Sequence, residues 1–434
     1  MFETLKNAFK VKEIRRKIFI TIGFILLYRV GCFVPVPGIA ADAFRSTIQG
    51  NDFLGIMSAV SGGSLSQGTL FAMGIGPYIN ASIIIQLLCI GIPALERLSK
   101  SGEEGQKKIS QITRYVTLGL AIIQSVAILI SVGSSGIDST LFGEKLKWLT
   151  YACIVIIFCA GSALTMWIGE RITEFGIGNG ITLLIFVGIL ATAGQSILNQ
   201  FGQIFSGDMN ALIGLLVFLV AVLVIFACIV TVDMAQRKIP VQYAKQVKGR
   251  KMYGGQSTFI PIKVNSSGVL PLIFAYAILS FPQLIMGLFW PNKEFPVFTT
   301  WFSANGYLYP LFLAVLIVFF AYFYASVQFN PDDISKNIQQ YGGFIPGIRP
   351  GRPTADYLRK ISNRITLFGA IYLALVALIP TYIFRLIAVV NNSAIGLMGA
   401  FSATGLMIVV SAALEFNTTL ESQLMMRHYK GFLK

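Results

Sequence analysis

Charged residues are scarce in this sequence: Asp, Glu, Lys and Arg make up 12% of its 434 residues, whereas 55% are hydrophobic. Soluble domains carry about 25% charged residues, so this composition excludes an ordinary soluble protein. In a lipid bilayer the backbone must satisfy its own hydrogen bonds, and long apolar runs therefore form helices. The scarcity of charge predicts an all-α integral membrane protein.

The apolar runs also lack the ionisable groups that membrane chemistry needs. The one charged side chain inside them is Arg29, near the end of the first run, where we expect it to reach the lipid headgroups. Ion-coupled transporters place such groups at the midplane. Intramembrane hydrolases need a nucleophile with a base, or paired carboxylates. The sequence therefore predicts a protein that is not an enzyme and that takes its energy from a partner.

Metal and nucleotide motifs are missing as well. The five cysteines lie in apolar runs without a CxxC pair, and the single histidine, His428, is near the end of the chain. Buried free cysteine behaves as a small hydrophobe, so we predict no metal site and no cofactor. No GxxxxGK[ST] occurs, and Gly176, Gly178 and Gly180 follow a membrane helix rather than a strand. These glycines predict a tight turn, not a phosphate-binding loop.

Ten apolar runs are long enough, or nearly so, to cross a hydrocarbon core. They lie at about 18–34, 71–92, 115–133, 149–169, 178–194, 211–232, 266–290, 307–328, 365–384 and 396–414. Of the 34 Lys and Arg residues, 28 fall in alternate segments that include both ends of the chain. The positive-inside bias therefore predicts ten spans in a single membrane domain, residues 1–434, with a retained first span and both termini in the cytoplasm.

Two features suggest a path through the membrane. Residues 51–70, NDFLGIMSAVSGGSLSQGTL, are half apolar and too short to span. They either tuck into the membrane under a cover of protein or lie on the headgroups as an external loop. Ile75 and Ile79 recur one helical turn apart, as do Ile181 and Ile185. Such stripes serve packing and lipid contact, or form a constriction that excludes water.

Two loops, 233–265 and 329–364, are long and basic. Their candidate docking residues are Arg237, Lys238, Lys248, Arg250, Lys251, Arg349 and Arg352. Part of this charge sets topology and binds anionic lipid. Basic loops with interleaved aromatics also suit an acidic or RNA-bearing partner, which is the second interpretation.

Five segments of the sequence resemble the SecY family of protein-translocation channels, in order and along nearly the whole chain. They are GIGPYINASIIIQLL, GEEGQKKISQITRY, ITEFGIGNGI, VQYAKQVKGRKMYGGQSTFIPIKVN and GGFIPGIRPGRPT. The resemblance implies ten helices in two inverted five-helix halves around a central hourglass pore, with a short plug helix. It places the halves at 1–194 and 211–434, with an external hinge loop at 195–210.

The resemblance also implies a function. Such a channel passes unfolded preproteins across the bacterial inner membrane, recognises their signal sequences and releases transmembrane segments sideways into lipid. Its implied partners are the SecE and SecG subunits, the SecA motor ATPase and the ribosome, through ribosomal RNA. A small-solute secondary transporter remains the alternative.

Residue by residue, the resemblance implies four sites. The pore ring is formed by Ile75, Ile79, Ile181, Ile185, Ile273 and Ile408. The plug falls at about 55–70 and includes Gly62, Gly63 and Ser64. The lateral gate lies between spans 2–3 and spans 7–8, and its amides Asn80, Gln124 and Asn265 are expected to satisfy one another when the gate is shut. Arg349 is expected to contact the motor and the ribosome.

Overall fold

The structure of the chain, a computed structural model, describes most of the sequence. The described residues are 2–49, 58, 61–133, 136–137, 147–206, 209–243, 246–248, 251–253, 257–265, 268–289, 308–390 and 403–431.

Helices make up most of the described residues. In chain order they are α1 Phe2–Lys10, α2 Lys12–Gly31, α3 Ala41–Gln49, α4 Gly76–Gly91, α5 Pro93–Lys100, α6 Glu103–Val132, α7 Lys147–Phe175, α8 Gly180–Phe205, α9 Met209–Asp233, α10 Leu270–Phe289, α11 Tyr309–Gln328, α12 Pro331–Gln340, α13 Arg352–Val390 and α14 Ala403–Gly431. Each of the ten predicted spans overlaps one of these helices, although residues 396–402 of the last predicted span lie outside the described residues. Within the described part of the chain, six helices are long and apolar enough to cross a membrane, and α4 with α5 forms a seventh if the bent pair is one span. The chain is therefore a multi-span helical membrane protein.

The chain bends by 103° between α4 and α5. Ile92 is extended, with φ −110° and ψ 112°, because the ring of Pro93 disfavours the helical conformation in the residue before it. Helix α4 is strongly apolar, whereas α5 carries Glu96, Arg97 and Lys100. The bend therefore separates an apolar span from a short charged helix outside it.

A tight turn joins α7 to α8, as the glycine pattern predicted. Gly178 has a φ of +78°, which favours glycine. A β-carbon on Gly180 would stand 2.1 Å from the carbonyl oxygen of Gly169, so only glycine lets α8 approach α7 this closely. The hydroxyl of Thr173 accepts a hydrogen bond from the Gly180 amide at 2.9 Å. The turn therefore packs two spans together.

The predicted hinge loop at 195–210 is mostly helical. The predicted boundaries of the loop are therefore too wide. Helix α8 continues to Phe205, and α9 begins at Met209. The sequence QSILNQFGQIF from residue 195 to 205 contains no proline and keeps apolar residues at helical spacing, so nothing ends the helix earlier. The connection between the two helices is therefore only a few residues long.

The two basic loops are joined in one small sheet. Its strands are β1 Gln236–Tyr243, β4 Ser257–Lys263 and β5 Gly343–Phe344, and β1 pairs antiparallel with both of the others. A separate hairpin pairs β2 Gln246–Lys248 with β3 Lys251–Tyr253. One apolar cluster lies under the sheet and includes Ile239, Val241, Ile262, Ile338, Ile345 and Leu358. Both loops therefore form a single folded unit.

The largest apolar cluster draws on helices from both ends of the chain. It includes buried residues of α2, α7, α8, α9, α10, α11, α13 and α14 and the approach to α4. Helix α10 also packs on both α4 and α6. Spans of the first five and of the last five thus contribute to one core, and the residues of the predicted ring belong to it.

Candidate functional site

The six isoleucines of the predicted ring belong to one apolar cluster. Three of them, Ile75, Ile185 and Ile408, are buried in it, and the other three pack against it while partly buried. Helix α8 contributes Ile181 and Ile185, α10 contributes Ile273, and α14 contributes Ile408. Ile79 lies on α4, and Ile75 directly precedes that helix. Residues more than 300 positions apart in the sequence thus belong to one apolar cluster.

Two of these isoleucines pack against Gly169 of α7. A β-carbon at this position would stand 3.3 Å from Cγ1 of Ile181 and 3.6 Å from Cδ1 of Ile75. Side chains from the two predicted stripes therefore contact the same small surface. The absence of a side chain at Gly169 lets the two stripes converge.

In its described part the segment before α4 is covered by protein, which supports the first of the two interpretations of residues 51–70. Its buried side chains are Ser58, Ser61, Ser64, Leu65, Thr69, Phe71, Ala72 and Met73. Residues 61–75 form hydrogen-bonded turns rather than a helix. Most of the predicted plug that precedes them, 55–57 and 59–60, lies outside the described residues.

Short polar side chains satisfy the backbone of this buried segment. The hydroxyl of Ser66 donates to the carbonyl of Gly63 at 2.8 Å, and the hydroxyl of Thr69 donates to the carbonyl of Ser64 at 3.1 Å. The amide of Leu70 donates to the carbonyl of Val34 at 2.9 Å. A segment without regular secondary structure can be buried because these backbone groups find partners within the protein.

Gly62 brings the segment against α2 and α8. A β-carbon at Gly62 would stand 3.0 Å from Nη1 of Arg29 and 3.0 Å from Cα of Gly188. The prediction that Arg29 reaches the headgroups is wrong for this nitrogen, which is buried and has no hydrogen-bond partner among the described residues. The guanidinium also lies 5.6 Å from the ring centroid of Phe33. Arg29 turns inward because the buried segment packs over it.

The three predicted gate amides do not bond to one another in this structure. Asn80 is half-buried on α4, and Gln124 is buried on α6 with no partner for Oε1 among the described residues. Asn265 instead donates from Nδ2 to Oδ1 of Asp233 at 2.8 Å. The expectation that these amides satisfy one another is therefore not met in the arrangement seen here.

Asp233, the residue directly after the sixth predicted span, binds one of these three amides. Its second carboxylate oxygen accepts a hydrogen bond from the hydroxyl of Ser411, at 2.5 Å. The carboxylate thus ties the end of α9 to α14 and, through Asn265, to the approach to α10. An acidic residue directly after an apolar run was the available signal, but its partners lie 32 and 178 positions away.

The basic residues of the two loops lie on or beside the small sheet. Arg237 and Lys238 are exposed on β1, with Nζ of Lys238 at 4.8 Å from the ring centroid of Phe259. The backbones of Lys248 and Lys251 are register partners in the hairpin. Arg250 lies outside the described residues.

Arg349 is exposed, and its backbone is fixed from both sides. The hydroxyl of Thr354 donates to the Arg349 carbonyl at 2.8 Å, and the Ile348 amide donates to the carbonyl of Ile345 at 3.0 Å. Gly347 and Gly351 adopt φ values of +83° and +95° on either side. Arg352 is exposed at the start of α13, so two guanidinium groups stand near the same turn.

A family model described as SecY matches residues 69–417 of this sequence. The chain belongs to the SecY family. It is 41% identical to the protein translocase subunit SecY of Streptomyces griseus, with all of both chains aligned. It is also 41% identical to the protein of the same name from Thermus thermophilus, and the alignment covers all of this chain and 98% of that relative.

Solved structures share the fold at low sequence identity. A protein-conducting channel matches with a TM-score of 0.65 and 19% identity, over 94% of this chain and 92% of that one. The Sec61 channel of a canine ribosome–channel complex from the endoplasmic reticulum matches with a TM-score of 0.61 and 17% identity, over 94% and 92% of the two chains. The architecture is therefore that of the channel fold, an all-α integral membrane protein.

Proposed function

We propose that this chain is the channel-forming subunit of a Sec translocon in the bacterial inner membrane. It passes unfolded secretory polypeptides across the membrane and releases apolar segments sideways into lipid, without catalysing a reaction itself. Full-length relatives named as translocase subunits support this function. The small-solute transporter has no such support.

The observation that carries the proposal is the pairing of the isoleucine cluster with the buried segment before α4. The cluster forms the pore ring, and residues 61–70 belong to a plug that includes Gly62, Gly63 and Ser64. Ile75 comes five residues after this segment, and Leu70 at the end of the segment packs against the same apolar cluster as the isoleucines. A ring of branched aliphatics seals around a passing chain, and the plug seals it at rest.

The proposed architecture has two inverted halves, 1–194 and about 211–434, with both termini in the cytoplasm. The lateral gate runs between α4 and α6 on one side and α10 and α11 on the other. The packing of α10 on both α4 and α6 corresponds to a shut gate. The distribution of Lys and Arg supports the proposed topology.

The proposed partners are SecE, SecG, the SecA motor ATPase and the ribosome, with anionic lipid around the basic loops. The sheet that joins the two loops presents Arg237, Lys238 and Arg349 from one folded unit. Arginine binds carboxylate or phosphate through two parallel hydrogen bonds, which suits an acidic protein or ribosomal RNA.

The test is made with the full chain reconstituted with its partner subunits, in planar bilayers and in vesicles. We expect low resting conductance, higher conductance after deletion of residues 55–70, and motor-dependent entry of an unfolded preprotein into the vesicles. If the deletion leaves the conductance unchanged and no preprotein enters the vesicles, the proposal is refuted. If the vesicles take up small solutes under the same conditions, the secondary transporter becomes the better function.

A further inference from the structure

A hydrogen bond joins two spans that lie far apart in the sequence. The hydroxyl of Tyr324 on α11 donates to Oε1 of Gln86 on α4, across 238 positions. Gln86 in turn donates from Nε2 to the hydroxyl of Ser82 on its own helix, at 3.3 Å. The amide is therefore oriented by α4 and presents its oxygen to α11.

Aromatic packing fixes the position of the tyrosine ring. The ring of Tyr324 lies 5.2 Å from that of Phe274 on α10 and 6.2 Å from that of Phe323 on α11. Phe274 also packs edge-on against Phe320, at 5.6 Å. Such contacts restrict the ring more than apolar burial alone would. The hydroxyl thus points to α4 from a rigid base formed by α10 and α11.

A long-range attraction between charges acts beyond the ends of these helices. The pKa of Lys100 on α5 is raised, mainly by the hydrogen bond and charge of Glu96 and to a smaller extent by the charge of Asp333 on α12. Helix α5 follows α4 and α12 follows α11, so the charge of Asp333 acts between the same two pairs of elements. The direct link between these two parts of the chain is the Tyr324–Gln86 hydrogen bond.

We propose that Tyr324 and Gln86 form a clasp that holds the lateral gate shut and sets how apolar a signal sequence must be to open it. This inference rests on the proposed function. Separation of α4 from α11 breaks this bond, whereas the aromatic base moves with α10 and α11 as a unit. Opening of the gate gives up this hydrogen bond, so the bond opposes opening.

The chain offers a matched pair of variants to test the clasp. Tyr324→Phe removes the hydroxyl and keeps the ring in its aromatic packing. Tyr322→Phe makes the same change two residues away on α11, where the hydroxyl donates to the carbonyl of Asn363 on α13 at 3.3 Å, away from α4. Each full-length variant is reconstituted with its partner subunits and given two preproteins, one with an intact signal and one with a signal weakened by leucine-to-alanine changes.

We expect Tyr324→Phe to raise entry of the weak-signal preprotein by about two- to tenfold, the range for loss of one hydrogen bond. Entry of the intact preprotein should change little, and Tyr322→Phe should behave as wild type in both assays. If Tyr324→Phe admits the weak-signal preprotein no better than wild type does, the clasp is refuted. If wild type fails to take up the intact preprotein, it is the proposed function that fails.

A double-mutant cycle separates the clasp from a general loss of packing. Gln86→Leu should also admit the weak-signal preprotein, and Gln86→Leu combined with Tyr324→Phe should do so no more than either change alone. Ser82→Ala is the control for the other hydrogen bond of Gln86 and should have a smaller effect. Additive effects of the two changes would refute a direct link between these residues.

Discussion

Arg29 on α2 and Gly62 in the buried segment are in close contact, so that a single methyl group on Gly62 would stand 3.0 Å from Nη1 of Arg29. The same methyl group would stand 3.0 Å from Cα of Gly188, on the backbone of α8. Gly62 also has a φ of +72°, which an L side chain adopts at a cost of about 1–2 kcal/mol. The position of the segment therefore depends on having no side chain at this residue.

The first prediction follows from this contact. Gly62→Ala should displace the segment from α2 and α8 and raise the resting conductance of the channel in a planar bilayer. Gly63→Ala is the matched control, because Gly63 has a similar φ of +83° but no atom within 4 Å of the added carbon. Equal conductance of the two variants would mean that backbone strain, rather than the contact with Arg29 and Gly188, sets the position of the segment.

The second prediction concerns the ring. Ile79→Ser shortens a side chain of the isoleucine cluster and makes it polar, so the constriction should admit water and ions. We expect several-fold higher conductance in a chain that also lacks residues 55–70, compared with that deletion alone. Ile90→Ser is the control, because Ile90 lies on the same helix but has 52% of its surface exposed. Conductance that is equal in both variants would place Ile79 outside the ring.

The third prediction is that substitutions of two of the predicted gate amides change the stability of the folded protein in opposite directions. Gln124→Leu removes a buried oxygen that has no partner among the described residues, and should stabilise the folded protein by about 1 kcal/mol. Asn265→Leu removes the donor to the carboxylate of Asp233, and should destabilise it by about 1–3 kcal/mol. Thermal unfolding in detergent measures both changes.

The control for these substitutions is Gln195→Leu, the same change at an exposed position of α8. Its unfolding temperature should stay close to that of the wild type. If Gln195→Leu raises the stability as much as Gln124→Leu does, the gain comes from the added hydrophobic surface and not from removal of an unpartnered oxygen. Shifts of the same sign for Gln124→Leu and Asn265→Leu would contradict the hydrogen-bond assignments.

The fourth prediction concerns Arg349 as the proposed docking residue. Arg349→Glu should abolish motor-driven translocation, and Arg349→Lys should reduce it by about tenfold, because an ammonium group cannot form two parallel bonds to one acceptor group. Thr354→Val should cause a smaller loss, since it removes the hydroxyl that fixes the Arg349 carbonyl. Preprotein uptake into vesicles measures all three.

Arg359→Lys is the control for Arg349, because Arg359 pairs with Asp332 at 2.8 Å within the same folded unit and is not free for a partner. We expect it to translocate as wild type does. If Arg349→Lys translocates preprotein at the wild-type rate, the docking role is refuted, and the residue serves only as a positive charge that sets membrane topology.

The positions of the helices could be predicted from the sequence because that information is local. An apolar run must satisfy its own backbone in lipid, and proline and glycine mark where a helix bends or ends. The 103° bend before Pro93 and the turn at Gly178 are therefore readable from a few neighbouring residues. The composition also predicted a membrane protein.

The partners of individual side chains were decided by the tertiary structure. Tyr324 lies 238 positions from Gln86, and β5 joins β1 from the other basic loop. Arg29 turns inward because a segment more than 30 positions later covers it, and Asn265 bonds to Asp233 because α9 ends beside it. Such contacts depend on which helix faces pack together, and a single sequence with no visible repeat does not fix that. The sequence alone thus determined where the apolar helices lie along the chain, and the packing of these helices decided which residues meet.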